Sequence, residues 1–256
     1  MRALANNLYT KTLYFYFGMT EREPGVERLY PSIFGRMATR YYYLRQLRQA
    51  IEDVIQEFVA RDSRSLTLAD YGCGNRPYES LVAPYVHKYI GIDLPGNKVA
   101  DILISPEGRI ELPDETLDVV LSTQALEHVV NPAEYLKEAL RVLKTDGQLI
   151  LSTHGYWMFH PDPTDFWRWT STGLKKIVTD AGFEVIHFRG IIGRSAMGLQ
   201  LFQDGFTFAL PPFLRPVLAI LFQPLIYLFD QIPSQGGKDK DACTYILVAK
   251  KNAPKG

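Results

Sequence analysis

Cysteine is scarce in this 256-residue chain: only Cys73 and Cys243 occur, too few for a disulfide framework and suited to a reducing, cytoplasmic compartment. No C-x-x-C pair or Cys/His cluster accompanies them, so spacing predicts no metal site. Excess charge is missing too. The 28 Lys plus Arg balance the 28 Asp plus Glu, which removes the global electrostatic footprint of a nucleic-acid binder. Nor is there a long apolar run. The apolar stretch Phe206 to Phe229 contains Arg215, and its charge-free part, Pro216 to Phe229, is 14 residues, short of the roughly 18 that a spanning helix needs. Residues 1–25 carry no small-residue cleavage site behind their tyrosine-rich apolar stretch, so no signal peptide is expected.

What is present alternates. Between Gly35 and Arg61, Leu44, Leu47, Ile51, Val54, Ile55 and Phe58 recur at steps of three and four, the pattern of an amphipathic helix. From about residue 66 short apolar runs alternate with helical patterns: strands at 67–71, 88–92, 99–104, 118–122, 147–152 and 183–189, helices from about Pro77, over 132–143 and over 171–181. Such alternation specifies a parallel sheet covered by helices on both faces. Pro77 and Pro132 suit first helical turns, Asn131 suits an N-cap, and Thr145-Asp146-Gly147 suits a turn.

The first strand runs into "DYGCGNRPY", residues 70–78. Glycines there admit a ligand to the backbone, and a following helix offers free N–H groups. A bare G-x-G is weak evidence. Asp93 strengthens it, because it ends the second strand 21 residues after Gly72, where an acid can hold both hydroxyls of a ribose. Cys73 reads as a small buried packer.

"LADYGCGNRPY", "YIGIDL", "VADI", "LPDETLDVVLSTQALEHVVNPAEYLKEALRVLKTDGQLILST" and "RWTSTGLKKIVTDAGFEV" follow one another in this order. Together they resemble the class I S-adenosylmethionine-dependent methyltransferase family, over residues 66–191 and again at 243–250. The resemblance implies a Rossmann-like α/β methyltransferase fold: a mostly parallel seven-stranded sheet with a C-terminal antiparallel strand and helices on both faces. It divides the chain into a helical lead-in (1–65), a cofactor-binding core (66–191), an apolar insertion (192–242) and a last strand with tail (243–256). It implies S-adenosyl-L-methionine as cofactor. Asp70, Gly72 and Gly74 would surround its methionine part, Asp93 its ribose, Asp101 with the Ile102 backbone its adenine edge after the third strand, and Ser122 with Gln124 a wall after the fourth. The family's third glycine falls at Arg76, where Asn75 is expected to supply the unusual backbone angle. Glu127-His128 matches a recurrent family pair, read here as positioning the loop after the fourth strand. A nicotinamide-dependent oxidoreductase would share the sheet, but its third glycine would fall at Pro77; a non-catalytic cofactor-binding or membrane-adaptor protein is a further alternative.

After the fifth strand comes "HGYWMFHPDPTDFWRWT", residues 154–170, too rich in functional groups for a simple connector. Its His154, His160 and Asp165 are the candidate catalytic groups, and Asp162 and Arg168 the candidate substrate contacts, against the plainer reading that Asp165 pairs with Arg168 and the tryptophans fill the core. A hydroxyl acceptor would need a base; a neutral amine would not. The expected reaction is methylation, at oxygen, of a small-molecule, glycan or lipid-linked acceptor rather than nucleic acid. The family topology implies that 192–242 emerges at the sheet's carboxyl edge. Its apolar stretch 206–229, broken into short helices by Pro211, Pro212, Pro216 and Pro224, reads as a packed cap, a homodimer interface or a peripheral membrane contact, with Arg194, Arg215, Lys238 and Lys240 available to anionic headgroups.

Overall fold

The computed structural model describes residues 26–35, 37–105, 108–160, 164–207 and 209–251. Residues 1–25, read above as lacking a signal peptide, lie outside them. The strands are β1 (Thr67–Tyr71), β2 (Lys88–Asp93), β3 (Ile102–Leu103), β4 (Leu117–Thr123), β5 (Leu143–His154), β6 (Phe183–Gly193) and β7 (Ala242–Lys251). They form one seven-stranded sheet in the order β3-β2-β1-β4-β5-β7-β6. Pairs among β1 to β5 are parallel, while β7 runs antiparallel to both β5 and β6. The helices are α1 (Val26–Leu29), α2 (Tyr41–Phe58), α3 (Glu79–Val82), α4 (Pro132–Val142), α5 (Ser171–Asp180), α6 (Arg194–Thr207), α7 (Arg215–Asp230) and α8 (Gln235–Lys240).

Strand side chains alternate between two cores, as the period of two requires. Val119, Leu121, Ile150, Ile246 and Val248 pack with Leu44, Leu47, Ile51, Val54 and Ile55 of α2 on one face. Val120, Leu149, Leu151 and Leu247 pack with Leu136 and Ala139 of α4 and Leu174 and Val178 of α5 on the other. Each such fully buried side chain contributes about 1.5–3 kcal/mol.

Several local expectations are corrected. Helix α3 starts at Glu79 with Tyr78 as N-cap, so Pro77 belongs to the glycine loop and not to a first turn. Thr145-Asp146-Gly147 lies inside β5, where the register jumps between Leu117↔Leu143 and Val119↔Gln148; the expected turn is accommodated as a bulge. Asn131 does cap α4, its side chain accepting from the Glu134 N–H.

The segment between β6 and β7 leaves and re-enters at the carboxyl edge, since Gly193 pairs with Ala242 and, on the neighbouring ladder, His154 pairs with Thr244. It is built mainly of α6, α7 and α8. Pro216 occupies the first turn of α7 and Pro224 sits inside it, so α7 is one 16-residue helix and not the fragments expected from its prolines. Among the described residues, no helix is long and apolar enough to cross a membrane.

The inner faces of α6 and α7 set polar groups among apolar ones: Ala196, Met197, Ala219 and Ile226 are buried there, and so are glutamines and aspartates. Gln200, Gln203 and Gln223 are buried and all donate to the Thr39 carbonyl, at 2.9, 2.6 and 2.9 Å. Gln223 also accepts from the Tyr42 N–H at 2.8 Å. Buried Asp230 accepts from Tyr42 Oη, the Gly193 N–H and Lys238 Nζ at 2.8, 2.7 and 2.8 Å. The outer faces are apolar and exposed, with Leu201, Phe202, Phe206, Val217, Ile220, Leu221, Leu225, Leu228 and Phe229 open to solvent. Two expected headgroup cations are already paired: Lys238 with Asp230, and Arg194 with Asp241 at 2.7 Å.

Candidate active site

The glycine loop leaves β1 beside the end of β2. Gly72 adopts φ 83°, and a Cβ there would lie 2.7 Å from Ala125 Cβ, so any side chain would displace the loop after β4. Gly74, at φ 52°, is the opposite case: a Cβ would meet nothing within 4 Å, which leaves an open cradle above the backbone. Arg76, not Asn75, takes the left-handed conformation in place of the third glycine, with φ 52°.

Asp93 braces this loop from β2. It accepts from the Gly74 N–H at 2.8 Å, from Asn97 Nδ2 at 2.6 Å and from the Leu94 N–H at 2.7 Å. A carboxylate offers about four lone-pair sites, so capacity for a hydroxyl remains. Asp70 is buried beneath the loop, where Tyr89 Oη donates to its Oδ2 at 2.6 Å while Oδ1 has no partner. Burial, partly offset by the Tyr89 hydrogen bond, pushes its carboxyl up to about 7. A partnerless buried oxygen under an open glycine cradle suits an ammonium, and Asp93 suits vicinal hydroxyls; the residues fit S-adenosylmethionine. Cys73 is buried beside the two aspartates, and desolvation pushes its thiol up to about 12, which makes it an inert packer.

Other expected cofactor contacts stand differently. Asp101 precedes β3 instead of following it: its N–H donates to the Gly91 carbonyl, its carboxylate accepts from the Gly91 N–H, and it pairs with the Arg76 guanidinium. The Arg76 side chain thereby lies across Gly91, whose Cβ would meet Arg76 Nε at 2.7 Å. Ile102 opens β3 opposite Ile92. Ser122 is fully buried and bonded to Tyr135 Oη at 2.8 Å. Gln124, at φ 53°, accepts from Tyr43 Oη and donates to Ser152 Oγ, both at 3.0 Å. Both side chains are thus committed to bonds within the protein, behind the loop that follows β4.

The second half of the site lies at the ends of β4 and β5. Glu127 is wholly buried; its Oε2 accepts from Thr153 Oγ1 at 2.8 Å and its Oε1 has no hydrogen-bond partner. The Glu127 carbonyl accepts from the Phe166 and Trp167 N–H groups at 2.9 and 3.2 Å, which folds the 154–170 loop back over this carboxylate. His128 is held by the Thr164 carbonyl at Nδ1. His160 stands edge-on to both His128 and His154, ring centroids 5.0 Å apart in each pair.

The expected catalytic trio separates on inspection. His154 is buried, stacked on Trp157, 3.2 Å from Thr244 Oγ1 through Nδ1 and 3.4 Å from Glu127 Oε1 through Nε2. Burial, reinforced by the nearby cationic groups, drives its pKa well below the usual value, so the imidazole is held neutral. Asp165 is also sequestered: Arg168 grips it through two contacts of 2.6 Å, and the His160 N–H donates to it at 2.9 Å. Although burial opposes it, Arg168 holds this carboxyl below the ordinary range. Arg168 is spent on Asp165 and on the Trp157 and Met158 carbonyls, a loop clasp in place of the expected substrate contact. Asp162 lies outside the described residues. His160 remains accessible, its Nδ1 directed to Asp165 and the Met158 carbonyl at 3.4 and 3.3 Å. Tyr43 and Asn97 are members that sequence spacing does not reveal, because one comes from the lead-in helix and the other from an ordinary-looking loop.

A family profile described as a methyltransferase domain matches residues 43–188. A Mycolicibacterium smegmatis protein named "Probable S-adenosylmethionine-dependent methyltransferase" is 26% identical over 170 residues, covering 60% of this chain and 64% of that protein. A similarly named Mycobacterium tuberculosis protein is 25% identical over 165 residues, covering 59% and 58%. The chain thus spans about three-fifths of the length of these curated relatives. Among solved structures, a Haemonchus contortus phosphoethanolamine N-methyltransferase 2 in complex with S-adenosyl-L-methionine superposes with TM-score 0.53 at 14% identity, covering 92% of this chain and 61% of that one. The [4+2]-cyclase SpnF superposes with TM-score 0.50 at 18% identity, covering 80% and 82%. At such identities the likeness concerns the fold.

Proposed function

This chain belongs to the class I S-adenosylmethionine-dependent methyltransferase family, and from that premise we propose that it methylates a hydroxyl of an amphiphilic acceptor, lipid-linked or glycan in character, presented at a lipid surface. The observation that carries this reading is a juxtaposition. An open glycine cradle with Asp70 and Asp93 stands at the ends of β1 and β2, the accessible His160 stands over the adjoining ends of β4 and β5, and an outward-facing apolar cap leaves the same sheet edge.

When bound, the cofactor supplies an electrophilic methyl group whose leaving group is a neutral thioether. The chain's part is then to position the acceptor and exclude water. Asp70 and the glycine loop fix the methionine end, Asp93 the ribose. Gln124 and Ser122 brace the loop after β4, and the loop clasped by Asp165 and Arg168 covers the acceptor side. A hydroxyl acceptor has to lose its proton, and the group placed to manage it is the Glu127, His128 and His160 cluster, of which His160 is the accessible member. Nucleic acid is disfavoured by the balanced charge. The cap favours an amphiphile, because helices that turn glutamines inward and phenylalanines outward match an apolar neighbour.

A methyl-transfer screen with labelled cofactor against lipid, glycan, protein and nucleic-acid fractions tests the reading. Label should enter lipid or glycan material in base-stable ether linkage, and His160→Ala should cut that rate about 10²–10⁴-fold with cofactor affinity near normal. Label confined to protein or nucleic acid would refute it.

A further inference from the structure

Sequence spacing shows no metal signature, yet the fold assembles one. Among the described residues, Glu127, His128 and His160 each present a ligand atom, all within 4.8 Å of one another. We propose that these three side chains bind a divalent transition-metal cation through Glu127 Oε1, His128 Nε2 and His160 Nε2.

Three independent features point to it. The first is Glu127 Oε1 itself, a wholly buried carboxylate oxygen without a hydrogen-bond partner, facing His154 Nε2 at 3.4 Å and His128 Nε2 at 4.0 Å. Thr153 satisfies the other oxygen, but a buried carboxylate oxygen left without a donor is costly unless the group is paired or coordinates a metal. Next is histidine orientation. His128 Nδ1 is held by the Thr164 carbonyl and His160 Nδ1 by the Met158 carbonyl and Asp165, so on both rings the Nδ1 proton is committed and the Nε2 lone pair is free. Metal-binding histidines are oriented in this way, by a carbonyl or carboxylate on the far nitrogen. The third is topology: Glu127 and His128 sit on the short turn after β4, whereas His160 arrives on a loop tied to that turn by the Phe166 and Trp167 N–H bonds to the Glu127 carbonyl. One side of the ion would thus face the buried Glu127 and the other the partly exposed edge where His160 stands.

Metal–nitrogen and metal–oxygen bonds of about 2.0–2.2 Å place neighbouring ligand atoms about 3–3.5 Å apart. From separations of up to 4.8 Å the cluster therefore has to close by up to roughly 1.3–1.8 Å, a side-chain adjustment. Two imidazoles and a carboxylate suit zinc, cobalt, manganese or iron(II) better than calcium or magnesium. Resting on the hydroxyl-methylation reading, the ion's use would be to take the acceptor oxygen as a further ligand and lower its pKa, the proton passing to solvent. His160 would then serve as ligand and not as base.

The binding claim is tested without cofactor or acceptor. Chelator-stripped protein is titrated with Co(II), whose visible absorption reports nitrogen ligation, and then with Zn(II) as competitor. One equivalent should bind; His128→Asn and His160→Ala should each weaken it by more than about tenfold, while His87→Ala, at an exposed histidine elsewhere, should leave it unchanged. Glu127→Gln should act like the histidine variants, and circular dichroism shows which variants fold; the two partly exposed histidines carry the test if it does not. Uptake well below one equivalent by the folded parent, or uptake unaffected in His160→Ala, would overturn the site. Stoichiometric binding without hydroxyl methylation would sink the acceptor reading and leave the metal site standing.

Discussion

Asp93 carries three hydrogen bonds before any ligand arrives, so it shapes the loop it serves. Asp93→Ala should weaken S-adenosylmethionine binding by about 1.5–3 kcal/mol, and Asp93→Asn by less, since the amide retains an acceptor for Gly74. Calorimetric titration of both variants checks the order; equal affinity in parent and Asp93→Ala would take the ribose role away. Asp70 gives a pH signature. Its carboxyl is raised to about 7 by burial, against an unfolded value near 3.9. Between these pH values the folded state holds a proton that the unfolded state has lost, so the residue's contribution to stability falls as pH rises through this window and is flat above about 7. Cofactor binding runs the other way: the ammonium favours the carboxylate, so affinity should rise between pH 5.5 and 7 by up to about tenfold per unit, with a proton released on binding. Titrations in buffers of differing ionisation heat measure that proton, and Asp70→Asn should abolish its release. These two aspartates are legible in the sequence because strand, glycine and acid lie within one β-α-β unit. Glu127-His128 is legible as a pair, but the burial of Glu127 is not, because the segment that folds over it, through the Phe166 and Trp167 N–H groups bonded to its carbonyl, returns along a loop whose path no periodicity encodes.

At the scale of elements, the 154–170 loop follows the plainer of its two sequence readings, Asp165 pairing with Arg168, whereas helix α7 departs from its own. The loop looks overfull of chemistry, but most of it is spent internally: Arg168 on Asp165, Trp167 Nε1 on the Val129 carbonyl at 2.8 Å. Helix α7 looks like an ordinary apolar segment whose few polar residues should face water. Instead Gln223 and Asp230 point inward and Ile220, Leu221, Leu225 and Leu228 outward. The Thr39 carbonyl and the Tyr42 N–H explain the placing of Gln223, and Tyr42 Oη, the Gly193 N–H and Lys238 Nζ that of Asp230; all but Lys238 lie far from α7 in the chain. If this face meets lipid, the protein should float with liposomes, and Leu221→Asp with Leu228→Asp should release it without altering cofactor affinity, since both positions are solvent-facing. If it meets a second copy, the same pair should leave flotation unaffected and shift size-exclusion elution towards monomer. A parent that neither floats nor self-associates would leave the face without either role.

For the molecule as a whole, the lead-in, the cap and the sheet are locked by polar contacts as much as by apolar ones. Gln223→Leu would strip the buried Tyr42 N–H of its acceptor and remove one of three donors to Thr39, a loss of roughly 1–3 kcal/mol. Thermal unfolding should show this as a drop of about 2–4 °C per kcal/mol for a chain of this size; an unchanged midpoint would mean that apolar packing alone holds the cap. That the sheet is mostly parallel is legible in the alternation of strands and helices, whereas its order is seen in the structure alone and has a kinetic corollary. Among the described residues β6 pairs only with β7, and β7 is separated from it by the whole cap. During synthesis or refolding, β5 and β6 must therefore wait with a slot one strand wide between them, while residues 194–241 fold. Two facing open edges are a template for any extended segment of another chain, and late closure by a distant strand is slow. Refolding yield should consequently fall with protein concentration far more steeply than native solubility would suggest, the competitor being a neighbour's strand in the place of β7.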